Sequence, residues 1–201
     1  MDMPTDRRAE LLGRIVDELL TRGAADLSLR PLAERVGTSA RLLIYHFGSK
    51  EQLVADALAE VRQRISASLH ARAAEVRPQT LSALMTMVWD WATEPPNQRY
   101  FRLLFEVDGL AMFDRLSFSE AVRRANSAVW TTLIDKAAGR LAQGGELFSA
   151  HATLIMAALV GLLQEFLSTG DRTRTTQALD ALVALISQGD RATPQTQGRL
   201  S

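Results

Sequence analysis

The 201-residue sequence contains no cysteine, which excludes disulfides, thiolate metal ligands and thiol nucleophiles. Histidine is also scarce, and His46, His70 and His151 are too far apart to form a helical metal-binding pair. The sequence has no His-Glu-x-x-His, Gly-x-Ser-x-Gly, Walker or dinucleotide-binding motif. Asp108 and Glu165 are lone acids without a partner at useful spacing. We therefore expect no catalytic residue, no metal and no cofactor.

Long apolar runs are missing as well. The longest nearly continuous run, residues 152–163, is shorter than the roughly 20 residues that a membrane span needs. The first residues lack the apolar core of a signal peptide, so we expect a soluble, cytoplasmic protein without a membrane partner. Basic and acidic residues balance at 23 each, so the total charge indicates no partner. Hydrophobic residues make up 47 % of the chain, which is enough for a core.

Hydrophobic residues recur at helical spacing along the whole chain, and no stretch alternates as a strand would. The pattern predicts a first helix that ends at Gly23, short helices over 29–36 and 40–46, and a fourth over about 49–73. Beyond Pro78 it predicts five more helices, over 78–93, 97–111, 115–143, 147–169 and 172–188. The expected fold is all-α, with a three-helix head, a connecting fourth helix and a C-terminal bundle.

Two serines mark predicted helix starts. Ser28 is the expected N-cap of the second helix, where Pro31 lies in the first turn and removes no intrahelical hydrogen bond. Ser49 and Gln52 form a predicted capping box at the start of the fourth helix. In such a box the serine hydroxyl accepts from the glutamine N–H, and the glutamine side chain reaches back.

Residues 28–47 have the pattern of a helix-turn-helix, with a turn at Gly37 and inward-facing Leu43 and Phe47 four residues apart. The candidate DNA-contacting residues are polar, small or exposed positions on or near its outer face: Ser28, Arg30, Thr38, Ser39, Ala40, Arg41, Leu42, Tyr45, His46 and Lys50. Arg41 suits bidentate contact with guanine, while Tyr45 and His46 suit the backbone. Lys50 lies where a helix start favours a phosphate.

Local charge is compatible with such a role. Residues 28–50 carry four basic side chains against the single acid Glu34, a net charge of +3, which a dimer would double. Short helix pairs with a glycine in the turn are also common in all-helical cores. This pattern alone therefore leaves DNA binding and plain core packing both open.

The order of these residues resembles the N-terminal domain of tetracycline-repressor-type (TetR) regulators. The resemblance is carried by the runs 32–39 (LAERVGTS) and 43–51 (LIYHFGSKE), and extends over roughly residues 7–58. It implies a bacterial, ligand-responsive regulator with a DNA-binding domain over 1–50, an effector-binding and dimerisation domain over 75–190, and a flexible tail over 191–201. Ile44 departs from the tyrosine or phenylalanine that the family most often has there. We expect Ile44 to pack and Tyr45 to take over the backbone contact.

The resemblance also implies dimerisation through the last two helices. Helix 147–169 is apolar nearly all round, so both of its sides must be buried. One side could face the domain core and the other a partner subunit, although the centre of a monomeric bundle is the alternative. The candidate interface residues are apolar positions of the two helices: Leu159, Leu163, Phe166, Leu179, Leu182, Val183 and Ile186.

An effector cavity is the third implied feature. The candidate lining residues are mostly aromatic residues and methionines: Met85, Trp89, Phe101, Phe105, Met112, Phe113, Trp130 and His151. They favour a small apolar or aromatic effector. The same aromatic residues and methionines could equally form an ordinary hydrophobic core. The expected partners are operator DNA, a second copy and this effector, and repression is the expected mode. A helical ligand-binding or scaffold protein without DNA binding is the alternative function.

Overall fold

The computed structural model describes residues 4–116 and 146–192, with side chains over 7–116 and 153–187. These residues form eight α-helices and no strand, which confirms the all-α prediction. The helices are α1 (Pro4–Arg22), α2 (Leu29–Arg35), α3 (Ala40–Phe47), α4 (Lys50–Val76), α5 (Leu81–Thr93), α6 (Pro95–Met112), α7 (Glu146–Thr169) and α8 (Arg172–Ala192). Among the described helices, none is long and apolar enough to cross a membrane.

Several helix ends differ from the prediction because of capping. The helix predicted to begin at residue 97 begins at Pro95, since a first-turn proline has no intrahelical N–H bond to lose. The helix predicted from residue 78 begins at Leu81, where the Thr80 hydroxyl accepts from the N–H of Ala83 at 3.1 Å. Residues 115 and 116 form a bend instead of starting the helix predicted over 115–143, and the rest of that range lies outside the described residues.

A single hydrophobic cluster runs from the head, formed by α1–α3, through α4 into the bundle. In the part of this cluster between α1 and α4, Ile15 of α1 and Leu58 of α4 are fully buried. In the bundle, Trp89 meets Phe166 edge-on with ring centroids 6.3 Å apart, and Trp91 meets Phe101 at 5.8 Å. The head is thus part of the same packed core as the bundle.

The C-terminal half of α4 is bonded to the junction between α5 and α6. Arg72 pairs with Glu94, the residue that joins α5 to α6. The indole N–H of Trp91 donates to Ser68 Oγ at 2.9 Å. The buried Asn97 amide donates to the carbonyl of Trp91 at 2.8 Å, which closes the junction. Polar contacts therefore fix the direction in which α4 leaves the bundle toward the head.

Candidate nucleic-acid interface

The α2–turn–α3 unit has the geometry of a helix-turn-helix. Gly37 has a φ of +70°, a conformation that favours glycine. The N–H of Thr38 donates to the carbonyl of Ala33 at 2.8 Å and closes the turn. Ser39 then caps α3, because its hydroxyl accepts from the N–H of Leu42 at 3.2 Å. Leu43 is buried against the head as its spacing predicted.

The opposite face of α3 is exposed. Arg41 lies in solvent, and the side chains of Leu42, Ile44 and Tyr45 are 46 %, 41 % and 79 % exposed. The expectation that Ile44 packs is wrong, since it lies on the outward side of the short helix. This eight-residue helix carries three large exposed hydrophobic side chains, which is typical of a surface that a partner covers.

The other candidate contact residues surround this face at different depths. Ser28 and Arg30 are exposed at the start of α2, while Thr38 and Lys50 are half-buried. Ala40 is also half-buried and packs against the core. Ser28 occupies the predicted N-cap position and its carbonyl accepts from the N–H of Leu32 at 3.1 Å. The N-cap prediction is confirmed, although the Ser28 hydroxyl makes no capping hydrogen bond.

The basic residues of the head differ in whether they are paired. Arg35 forms an ion pair with Glu18 of α1, so its charge is locally compensated. Arg30, Arg41 and Lys50 form no ion pair with another described residue. Three of the four cations predicted in this region are thus available to a phosphate or a base edge.

The start of α4 is capped differently from the prediction. Ser49 Oγ accepts from the N–H of Gln52 at 3.1 Å, as expected. The Gln52 side chain does not reach back, because its amide donates to Asp56 at 2.9 Å one turn further on. Hydrogen bonds with the backbone and with Ser49 lower the pKa of Glu51. Its carboxylate lies next to Lys50 in the sequence and partly offsets that positive charge.

Arg8 of α1 holds the end of α3 in place, a role that sequence reasoning missed. Its Nε donates to the carbonyl of His46 at 3.1 Å. Its Nη2 pairs with Asp56 at 2.5 Å, and its guanidinium lies 5.0 Å from the centroid of the Phe47 ring. A cation at a helix C-terminus stabilises the free carbonyls there. The partners are 38 residues apart or more, so no local spacing could indicate the contact.

Residues 12–57 match the family model for bacterial regulatory proteins of the tetR family. Over this N-terminal segment, the chain is therefore similar to TetR-family regulators. The matched segment contains most of α1 and the whole helix-turn-helix and ends within α4. A comparison of the sequence with curated proteins gave no match.

The fold beyond the TetR-type head is similar to that of several solved structures. A transcriptional regulator from Rhodococcus sp. RHA1 has 20 % identity, with 90 % of this chain and 96 % of that chain covered and a TM-score of 0.69. The multidrug binding protein EbrR, in complex with imidazole, has 19 % identity, coverages of 96 % and 94 %, and a TM-score of 0.67. NalD of Pseudomonas aeruginosa, the secondary repressor of a multidrug efflux pump, has 16 % identity, coverages of 96 % and 98 %, and a TM-score of 0.55.

Those residues proposed to line an effector cavity that the structure describes do not surround one cavity. Met85, Trp89 and Phe101 are fully buried in the core, and Phe105 packs against it. Met112 and Phe113, at the end of α6, are 78 % and 80 % exposed. Trp130 and the side chain of His151 lie outside the described residues. A groove of about 370 Å³ beside the end of α6 includes Phe113, and its other lining residues are Glu106, Gly109, Leu110 and Arg115.

The residues proposed for the dimer interface divide into two groups. Four of them, namely Leu159, Leu163, Phe166 and Leu179, are buried within this chain and offer no surface to a partner. Leu182, Val183 and Ile186 are half-buried and pack against the same core. The exposed apolar positions of α7 and α8 are others, at helical spacing: Leu154, Ala157 and Gly161, and Ala178, Ala181 and Leu185.

Proposed function

We propose that this protein is a homodimeric transcriptional regulator of the TetR family that inserts α3 into the major groove of operator DNA. The observation that carries the proposal is the outer face of α3. It presents Arg41 without an ion pair to another described residue, beside the exposed Leu42 and Tyr45. An arginine fork can contact guanine O6 and N7, while a leucine side chain suits a thymine methyl group.

Support for the backbone contacts comes from the residues around α3. Tyr45 projects its ring into solvent at the end of this face. Arg30 and Lys50, on the neighbouring helix starts, are cations without an ion pair among the described residues. Such groups contact phosphates and set the orientation of the recognition helix without reading sequence. This division makes Arg41 the residue for base recognition, with Tyr45, Arg30 and Lys50 as backbone contacts.

The dimer is proposed through the outward faces of α7 and α8. Leu154, Ala157 and Gly161 lie on one exposed stripe of α7, and Ala178, Ala181 and Leu185 on one of α8. Small residues allow close approach of helices, and two helices from each subunit would form a four-helix interface about a two-fold axis. Two recognition helices related by that axis would match two half-sites of an operator.

Release by a small apolar or aromatic effector, and repression as the mode of regulation, are further parts of this proposal. The groove beside α6 has apolar walls at Leu110 and Phe113. Two proteins of similar fold are described as a multidrug binding protein and as the repressor of a multidrug efflux pump. Mass spectrometry of small molecules retained by the purified protein would test the effector class. Retention of only polar or charged compounds would contradict it.

The decisive experiment is a footprint and gel-shift series on the DNA upstream of the protein's own gene. We expect one protected two-fold symmetric site, and an affinity that falls steeply as salt rises, because phosphate contacts release counterions. A scrambled fragment of equal length is the control. Equal affinity for both fragments at all salt concentrations would favour the helical ligand-binding or scaffold alternative.

A further inference from the structure

Glu106 of α6 connects the bundle to the turn that follows α1. Its carboxylate accepts from the N–H groups of Ala24 and Ala25, at 2.7 and 3.0 Å. The partners are 82 and 81 residues apart in the sequence. We call these two hydrogen bonds the Glu106 clasp. Bonds between a carboxylate and backbone N–H groups are among the stronger hydrogen bonds in proteins.

Gly23 leaves the space that the clasp occupies. Its φ of +80° is already a conformation that favours glycine. A Cβ atom added there would lie only 2.4 Å from Glu106 Oε2, so any other residue would displace the carboxylate. The turn is also anchored from below by the buried Ala24 and Leu27. The backbone conformation of Gly23 and the space left by its missing side chain therefore both allow the Glu106 carboxylate to reach the turn.

The clasp lies at the point where the direction of the helix-turn-helix is set. Residues 23–28 are the whole connection between α1 and α2, and α2 carries the turn and α3. The far end of α3 is tied to α1 and α4 through Arg8. Through the clasp, α6 also makes a direct polar contact with the connection between α1 and α2.

We propose that Glu106 is a positioning residue for operator binding, which fixes the angle between each head and the dimer body by holding the turn at Ala24 and Ala25. The inference rests on the proposed function, because it requires two heads that bind two half-sites. A rigid head restricts the operator to one half-site spacing. A loosened head loses affinity for that spacing but tolerates others, since more orientations become accessible.

The test compares operator affinity at two half-site spacings, using the site defined by the footprint and the same site with two base pairs inserted. We expect the insertion to weaken wild-type binding by at least about tenfold, because half-site spacing is a geometric requirement. We call the loss of affinity caused by the insertion the spacing penalty. Glu106→Gln retains one acceptor and loses the charge, so we expect weaker binding to the native site and a spacing penalty of only about threefold or less. Gly23→Ala, whose Cβ displaces the same carboxylate, should reduce the penalty in the same way.

Asp108→Asn is the matched control. It removes the same charge from the same helix, at an exposed residue without a hydrogen bond to another described residue. We expect it to keep the wild-type penalty. Loss of stability alone would weaken binding at both spacings equally. The ratio of the two affinities therefore separates an effect on head positioning from an effect on folding.

Amide exchange provides the second measurement and does not need DNA. Glu106→Gln should speed exchange of the Ala24 and Ala25 amides by about tenfold, because one hydrogen bond to a charged group is lost. Unchanged exchange of these two amides in Glu106→Gln would show that the Glu106 clasp does not protect them. Faster exchange with an unchanged spacing penalty would overturn its positioning role. A wild type that binds no operator would overturn the proposed function before any variant is compared, and the positioning role with it.

Discussion

Arg41 and Arg35 show how neighbouring cations of one head differ in what they can do. Arg35 is held by Glu18 and stabilises the contact between α1 and α2. Arg41 lies on the exposed face of α3 without an ion pair to another described residue. A paired cation must lose its partner before it contacts DNA, whereas an unpaired one loses only water. At the residue scale, we therefore expect base recognition from Arg41 and not from Arg35.

Arg41→Ala should relax base preference at a single operator position, at a cost of about 1–3 kcal/mol for the preferred base pair. The measurement is the dissociation constant for a set of operators that differ by one base pair each. Lys50→Ala is the comparison variant, since loss of a phosphate contact should weaken all operators alike and reduce the salt slope by about one. A uniform loss in Arg41→Ala would contradict its role in base readout.

Tyr45→Phe should weaken binding to every operator by about 1.5–3 kcal/mol, because its hydroxyl is expected to donate to a charged phosphate oxygen. Tyr45 is 79 % exposed, so removing the hydroxyl leaves no buried group unpaired. Gel shifts at constant salt check the loss. Tyr100→Phe is the control, since it removes the same hydroxyl group from α6, away from this face. Equal affinity of Tyr45→Phe and the wild type would rule out the phosphate contact.

At the scale of the element, α3 is too short to be stable alone, because helices below about 12 residues are marginal in water. Burial of Leu43 and Phe47 holds it from inside. The Ser39 cap secures its first turn and Arg8 its last. Contacts on its inner face and at both of its ends therefore hold α3 in place, while its outer face remains exposed.

Ser39→Ala should lower the free energy of unfolding by about 1 kcal/mol, since the first turn of α3 loses its side-chain cap. Ser28→Ala is a matched control, because Ser28 occupies an N-cap position without a side-chain cap bond. We expect it to change stability by less than about 0.5 kcal/mol. Urea unfolding at fixed protein concentration measures both. Equal losses in the two variants would show that the Ser39 hydrogen bond contributes nothing.

At the scale of the whole molecule, two sets of polar contacts join the bundle to α4 and to the turn after α1. The Arg72–Glu94 pair and the Trp91–Ser68 hydrogen bond join α4 to the α5–α6 junction. The Glu106 clasp joins α6 to the turn after α1. Together these contacts restrict rotation of the head relative to the bundle more than either set could alone.

Leu185→Glu should convert the proposed dimer to monomers at micromolar concentration, because it places a charge in an interface built from apolar side chains. Val76→Glu is the control, as Val76 is also exposed (51 %, against 67 % for Leu185) but lies at the end of α4. Sedimentation velocity measures the change, and operator affinity should fall with it. A dimeric Leu185→Glu protein would place the interface elsewhere.

Local spacing in the sequence predicted much of the head. The four-residue interval between Leu43 and Phe47 predicted the buried side of α3, and the glycine at position 37 predicted its turn. Ser49 was identified as a cap from its neighbours alone. In the bundle, the same reasoning failed for α7, because a helix that is apolar nearly all round gives no periodic difference between its two sides. Only the burial of Leu159 and the exposure of Gly161 separate the core side from the outward side.

The sequence by itself determined the all-α fold, the helix-turn-helix and the absence of cysteine chemistry, because these depend on composition and on residues within one or two turns of each other. The tertiary structure decided how the head is held: Arg8 reaches the end of α3, Gln52 turns to Asp56, and Glu106 binds the turn at Ala24 and Ala25. The Arg8 and Glu106 contacts join residues dozens of positions apart. Their partners are set by how the helices pack, which no local pattern encodes.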